Sequence, residues 1–419
     1  MQLRFRRVLY AAFIASILLY LIQVLTPLRL TSDGIAYLSL ADSATTQGFV
    51  SAFSQRFPFP KGYPAFVFLL MKAGLFSSAI LVLANLLFFA GGLIFSFRTL
   101  IALGFQRTHA AVACLLTLLS FTAVKHITQG MSDFLFFALS ATACWCMTLR
   151  SGYKWLAIVP CLAAAIEVRL LGLALLFPLA VTVWPFVKKH PAALTVSGVV
   201  AVAFVGGGAW AGRQYLVKYL ALFQHNALGR FVKTDIIAHC QDFAELMSNV
   251  PLAKLPAWCY AIALAGGCVA LLLFFAGIVA LWKQSLWTSF YMIGYSCLIL
   301  PWPYTDPRFW VPAMPFVLLT MYAGGAALLR NSQGRKMTAA VAPRRLAAAY
   351  CVVFCALGFA ALGYSTWLSL SGPKFPYRYG DGLLRTTYLA GCSEAPPDAQ
   401  QNALRLLRRY EWHCKAEQR

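Results

Sequence analysis

Residues 8–37, VLYAAFIASILLYLIQVLTPLRLTSDGIAY, decide how this chain reads. Residues 8–25 are a predominantly apolar run behind the basic cluster Arg4-Phe5-Arg6-Arg7. The run exceeds the roughly 7–15 apolar residues of a signal peptide, and no small-residue cleavage site follows before Pro27. It predicts a retained membrane helix. Asp33 stands a few residues past its end, in Thr31-Ser32-Asp33-Gly34-Ile35-Ala36-Tyr37. A carboxylate at the rim of a lipid-embedded helix is costly to keep, and such residues mark functional sites. Ile35, Leu38 and Ala41 recur at helical spacing, so a helix lying along the membrane surface is expected over 33–45.

The rest of the chain repeats the first span. Apolar residues make up 60% and charged residues 11% of it, against roughly 45–50% and about 25% in soluble domains. Eleven spans fit: 8–28, 78–97, 108–124, 133–149, 155–167, 169–187, 192–212, 259–282, 286–302, 309–329 and 346–370. The expected fold is all-α, a polytopic integral membrane helical bundle with interfacial helices in its first outer loop. Arg4/Arg6/Arg7, Arg98/Arg107, Arg150/Lys154, Lys188/Lys189, Lys283 and Arg330/Arg335/Lys336/Arg344/Arg345 all fall on one side of these spans. That side is read as cytoplasmic. It holds 15 of the 35 basic residues and none of the 13 acidic ones. The N-terminus is therefore expected inside and the C-terminus outside. The net charge of +22 does not indicate nucleic-acid binding, because the basic residues are scattered over short loops without an aromatic-studded basic domain. They suit membrane lipid headgroups instead.

Residues 1–330 read as a core with outer loops 29–77, 213–258 and 303–308. Residues 331–370 read as a cytoplasmic loop and the last span, and 371–419 as a small extracytoplasmic segment. The prolines of Gln55-Arg56-Phe57-Pro58-Phe59-Pro60-Lys61-Gly62-Tyr63-Pro64 predict an extended turn. Residues 65–75 predict a short interfacial helix, and 397–412 an amphipathic one. Most of the 12 cysteines lie within spans, as small apolar residues. Cys392 and Cys414 lie outside them, where an oxidising compartment permits a disulfide that spacing alone does not settle. No metal-ligand spacing such as C-x-x-C is present.

Charged residues stand at several junctions between spans. Tyr37 is four residues from Asp33, on the same helical face, whereas Asp42 is nine away and half a turn round. Asp33 equally suits a helix N-cap, as does Asp133 in Gly130-Met131-Ser132-Asp133. Glu167 and Arg169, in Glu167-Val168-Arg169-Leu170-Leu171-Gly172, either face a cavity or form a structural ion pair. Asp306 and Arg308, in Tyr304-Thr305-Asp306-Pro307-Arg308, raise the same alternatives. His126, His225 and His239 are isolated in sequence, and none is read as a metal ligand.

In this order and on one side, Asp33-Gly34-x-x-Tyr37, Lys61-Gly62-Tyr63-Pro64, Gly130-Met131-Ser132-Asp133, Glu167-x-Arg169-x-x-Gly172 and Tyr304-x-Asp306-x-Arg308 resemble the polytopic glycosyltransferases of the C-type fold. That group includes protein O-mannosyltransferases and bacterial aminoarabinose (lipid A) transferases. The resemblance covers most of the chain to about residue 330. It implies a polyprenyl-phosphate sugar donor and a lipid, glycan or protein acceptor at the periplasmic face of a bacterial inner membrane. Asp33 would be the general base, and the transfer would invert the anomeric centre. Arg169, Arg308, Lys61, Arg56, His126 and Arg213 would bind the donor phosphate. Tyr37, Asp42, Tyr63, Asp133, Glu167, Tyr304 and Asp306 would line the substrate site. Many relatives carry two acidic residues close together in the first loop, whereas this chain has Asp33 alone, with Asp42 distant. That departure leaves a divalent cation (Mg or Mn) an open cofactor and assigns no metal ligand. The alternatives are a transporter or flippase of lipid-linked sugars, or a glycan ligase or polymerase.

Overall fold

The computed structural model describes residues 2–54, 59–189, 236–302, 304–332, 341–378, 387–389 and 401–411. Among them all regular structure is helical, with no strand; a single parallel bridge joins Arg29 to Gln129. Numbered among the described residues, the helices are α1 (Gln2–Ile22), α2 (Ser32–Gln47), α3 (Phe49–Ser54), α4 (Gly62–Lys72), α5 (Ser78–Ala102), α6 (Arg107–Leu118), α7 (Phe121–His126), α8 (Asp133–Thr148) and α9 (Trp155–Val168). They continue as α10 (Leu176–Lys189), α11 (Ile236–Ser248), α12 (Ala257–Leu281), α13 (Leu286–Ile299), α14 (Met314–Ser332), α15 (Val341–Ser369), α16 (Phe375–Arg378) and α17 (Gln401–Tyr410).

Among the described residues, five stretches are long and apolar enough to cross a membrane: Arg7–Leu25, Ser78–Ala102, Ala257–Leu281, Pro307–Leu329 and Ala347–Ser369. Further apolar helices are shorter, at 10–17 residues. The expected span 108–124 is divided at Leu119-Ser120 into α6 and α7, and 169–187 begins as a 3-10 turn over Leu170–Leu175. Span 192–212 lies outside the described residues.

Local chemistry sets the helix ends. Thr31, rather than Asp33, caps α2: its hydroxyl accepts from Gly34 N at 3.1 Å. Gly48, at φ +90°, ends that helix. Of the extended turn expected over 55–64, residues 55–58 lie outside the described ones, and its end is helical instead: α4 starts at Gly62 and takes Pro64 into its first turn. A proline costs least there, since first-turn N–H groups have no intrahelical partner.

The core is built by α5 on α8, joined by Phe89, Phe134 and Phe137, and by α12 on α14. Small residues allow the second approach: a Cβ on Gly277 would stand 1.8 Å from Thr320 O, and one on Gly324 would stand 2.1 Å from Leu273 O. Close backbone approach of this kind is how lipid-embedded helices gain packing.

The C-terminal segment packs on the first loop. Helix α17 buries Ala403, Leu406 and Leu407 and lies on α2. There Asp42 accepts from Arg409 Nη1 and the Tyr410 hydroxyl, both at 2.7 Å, with Arg405 Nε at 3.6 Å. Tyr388 bridges Leu28 O and Leu30 N at 2.7 and 2.6 Å. Asp42→Ala is expected to cost about 1–2 kcal/mol, the low end for charged hydrogen bonds because both arginines are half exposed. Faster trypsin cleavage at Arg405 and Arg409 would report the release of α17, and an unchanged cleavage rate would refute the clasp.

Candidate active site

Four junctions distant in sequence meet at the start of α2. Gly34 faces Gly130, where a Cβ would stand 3.2 Å from Gly130 O and 2.9 Å from Thr31 Oγ1. Gly62 sits on the end of α9, where a Cβ would stand 2.8 Å from Glu167 O, and a Cβ on Gly172 would stand 2.6 Å from Ile166 N. The glycines in these motifs thus let backbones meet, which brings their charged neighbours together.

Asp33, in the first turn of α2, accepts from Arg308 Nη2 at 2.5 Å. Arg308 Nε lies 3.1 Å from Asp306 Oδ2, close enough for charge attraction, although misaligned for a hydrogen bond. Asp306 caps its own 3-10 turn by accepting from Arg308 N at 2.9 Å. Arg169, just after α9, donates to Asp133 Oδ1 at the start of α8. Asp133 is 2% exposed, and its second oxygen, Oδ2, has no hydrogen-bond partner among the described residues. The guanidinium carbons of Arg169 and Arg308 lie 5.0 and 5.3 Å from the centre of one ring, Phe309. The cluster holds three carboxylates and two guanidiniums. Tyr37 and Tyr63 pack beside it edge to face at 5.4 Å, and burial raises the Tyr37 phenol above its ordinary pKa.

The other expected phosphate-binding cations stand differently. Lys61 Nζ donates to Phe53 O; burial lowers its pKa, and nearby Glu167 opposes the shift. His126 is buried, and its Nδ1 bonds Gln129 Oε1 at 2.7 Å. Burial pushes its pKa down to about 4, with Asp306 opposing and Lys125 and Arg308 reinforcing, so at neutral pH it supplies no positive charge. Arg56, Arg213 and His225 lie outside the described residues, as do Cys392 and Cys414. Tyr304 is exposed beside Trp302, and Asp42 is taken up by α17. Glu167 is exposed, and the buried partner of Arg169 is Asp133 instead.

Behind Asp306, α11 carries His239 and Asp242, whose Nδ1 and Oδ2 lie 3.4 Å apart. Burial pushes Asp242 up to about 6; His239 opposes this, while Asp306 and Glu245 reinforce it. A carboxyl raised on folding binds its proton more tightly in the folded state. Its contribution is thus fully present below about pH 4 and is lost as pH rises through about 6. Asp242→Asn is therefore expected to match the parent near pH 4 and to exceed it at pH 7 by up to about 3 kcal/mol. Unfolding curves at both pH values test this, and parallel curves would refute it.

Each of the three clustered carboxylates faces a guanidinium, and among the described residues no three His, Cys, Asp or Glu side chains group as metal ligands.

No protein-family model, curated protein or solved structure matches this chain.

Phe309 was not visible as a site residue in the sequence. The only signal for it is its place next to Arg308 in an apolar, aromatic run.

Proposed function

We propose that this protein is a membrane glycosyltransferase that moves a sugar from a polyprenyl-phosphate donor to an acceptor hydroxyl. The observation that carries the reading is the Asp33–Arg308 pair at 2.5 Å, with Arg169 held on the same aromatic ring. A carboxylate and a guanidinium in contact can serve the two ends of such a transfer. The reading includes the eleven crossings, a cytoplasmic N-terminus and a periplasm-facing site in a bacterial inner membrane.

In the reaction the acceptor oxygen bonds to the anomeric carbon while the bond from that carbon to the phosphate oxygen breaks. The acceptor proton passes to Asp33. Negative charge therefore leaves Asp33 and develops on the phosphate. Arg308 is well suited to both stages, because its fork of donors can hold a carboxylate before transfer and a phosphate during it. The clustered charges sum to −1, from three carboxylates and two guanidiniums. Donor binding therefore relies on directed N–H groups and on Arg308 exchanging Asp33 for phosphate, rather than on a positive field. A single base and direct displacement give inversion.

Incubation of the purified protein with a panel of polyprenyl-phosphate sugars, with and without EDTA, tests the reading. Transfer of one sugar, insensitive to EDTA, is expected. Transbilayer movement of the intact lipid-linked sugar without transfer would favour a flippase, and transfer of preassembled glycan alone would favour a ligase. Arg169→Ala is expected to raise the donor KM by about ten-fold or more and to leave the acceptor KM near its original value. Equal rises in both would make the Arg169–Asp133 pair structural.

A further inference from the structure

We infer that Phe309 is a positioning residue that presents the two guanidiniums to a single phosphate group, an inference that rests on the proposed use of a polyprenyl-phosphate donor. Arg169 and Arg308 come from different junctions, 139 residues apart by their numbering, yet both guanidinium carbons lie within 5.3 Å of the Phe309 ring centre. Two like charges brought to one ring repel each other. Their approach is offset by Asp133 on one arginine and by Asp33 and Asp306 on the other. When a donor phosphate draws Arg308 away from Asp33, part of that offset is lost. The negative face of an aromatic ring then remains as a neutral partner that holds the cations without competing as an anion.

The ring is itself well fixed. Phe309 is 9% exposed, its carbonyl accepts from the Tyr295 hydroxyl at 2.6 Å, and its N–H donates to Asp306 O at 3.0 Å. Both hydrogen bonds use the backbone, so a change in ring electronics leaves them in place. Phe309 touches no reacting atom in this account; it acts through the two arginines.

The test separates ring electronics from packing. Phe309 is replaced in the full-length protein by mono-, di- and trifluorophenylalanine, which weaken the negative ring face while nearly preserving shape. Binding of a short-chain polyprenyl monophosphate is then measured in detergent. Affinity is expected to fall stepwise, to about ten-fold weaker with three fluorines, while the unfolding temperature and acceptor affinity stay constant. Phe309→Tyr should bind like the parent and Phe309→Leu like the trifluoro protein. A flat fluorine series with a parent that binds the phosphate would overturn the role of Phe309 and leave the transferase reading intact. A parent that does not bind the polyprenyl phosphate would overturn both.

Discussion

Asp33→Asn is expected to abolish sugar transfer while the protein still binds donor at least as well as the parent. General-base catalysis contributes typically 10²–10⁴-fold, so a loss of about 10³-fold in kcat is anticipated. The binding half of the result carries more discrimination. Removing the charge of Asp33 raises the cluster sum from −1 to zero and leaves Arg308 a neutral amide oxygen in place of its 2.5 Å carboxylate partner. An incoming phosphate then no longer competes with a carboxylate for that guanidinium, so its dissociation constant should stay the same or fall. A merely structural Asp33 would behave oppositely, with weaker donor binding and a lower unfolding temperature. Near-parental turnover in Asp33→Asn would remove the base assignment outright.

The second large effect is expected at Arg308. Arg308→Ala should cost about 10²–10³-fold in kcat, the loss seen when one donor to developing negative charge is removed. Unlike Asp33→Asn, it should also weaken donor binding, because phosphate loses a fork of N–H groups and meets unpaired Asp33 and Asp306. Arg308→Lys keeps the charge but not the planar fork, so it should recover donor binding more than turnover. Recovery of full turnover by lysine would show that charge alone suffices, and the exchange of carboxylate for phosphate on one guanidinium would then be unnecessary. Folding must be checked alongside: Arg308 is 15% exposed, and leaving two half-buried carboxylates without it will destabilise the protein.

The linear sequence located the candidate site better than it described it. Asp33, Asp133, Arg169 and Arg308 were legible because each is an ionisable residue beside an apolar run, where lipid makes unused charge costly. Their partners were not legible. Asp33 meets Arg308 across 275 positions, and Asp133 meets Arg169 across 36, so no local periodicity links them. Asp42 shows the reverse case. In sequence it is a second carboxylate on the same surface helix as Asp33, but α17 claims it through Arg405, Arg409 and Tyr410. His126 read as a candidate cation, yet burial leaves it neutral. Burial is a property of the fold, and no motif announces it.

The all-helical class and the presence of membrane-length apolar helices follow from the chain alone. Hydrophobic period and length are local quantities, and lipid offers the backbone few other ways to satisfy its N–H and C=O groups. The tertiary structure alone decided which charges pair, which of them water reaches, and that one phenylalanine lies against two arginines. Those outcomes depend on how closely separate segments approach at Gly34, against Gly130, and at Gly62, against Glu167, contacts made between residues far apart in the chain.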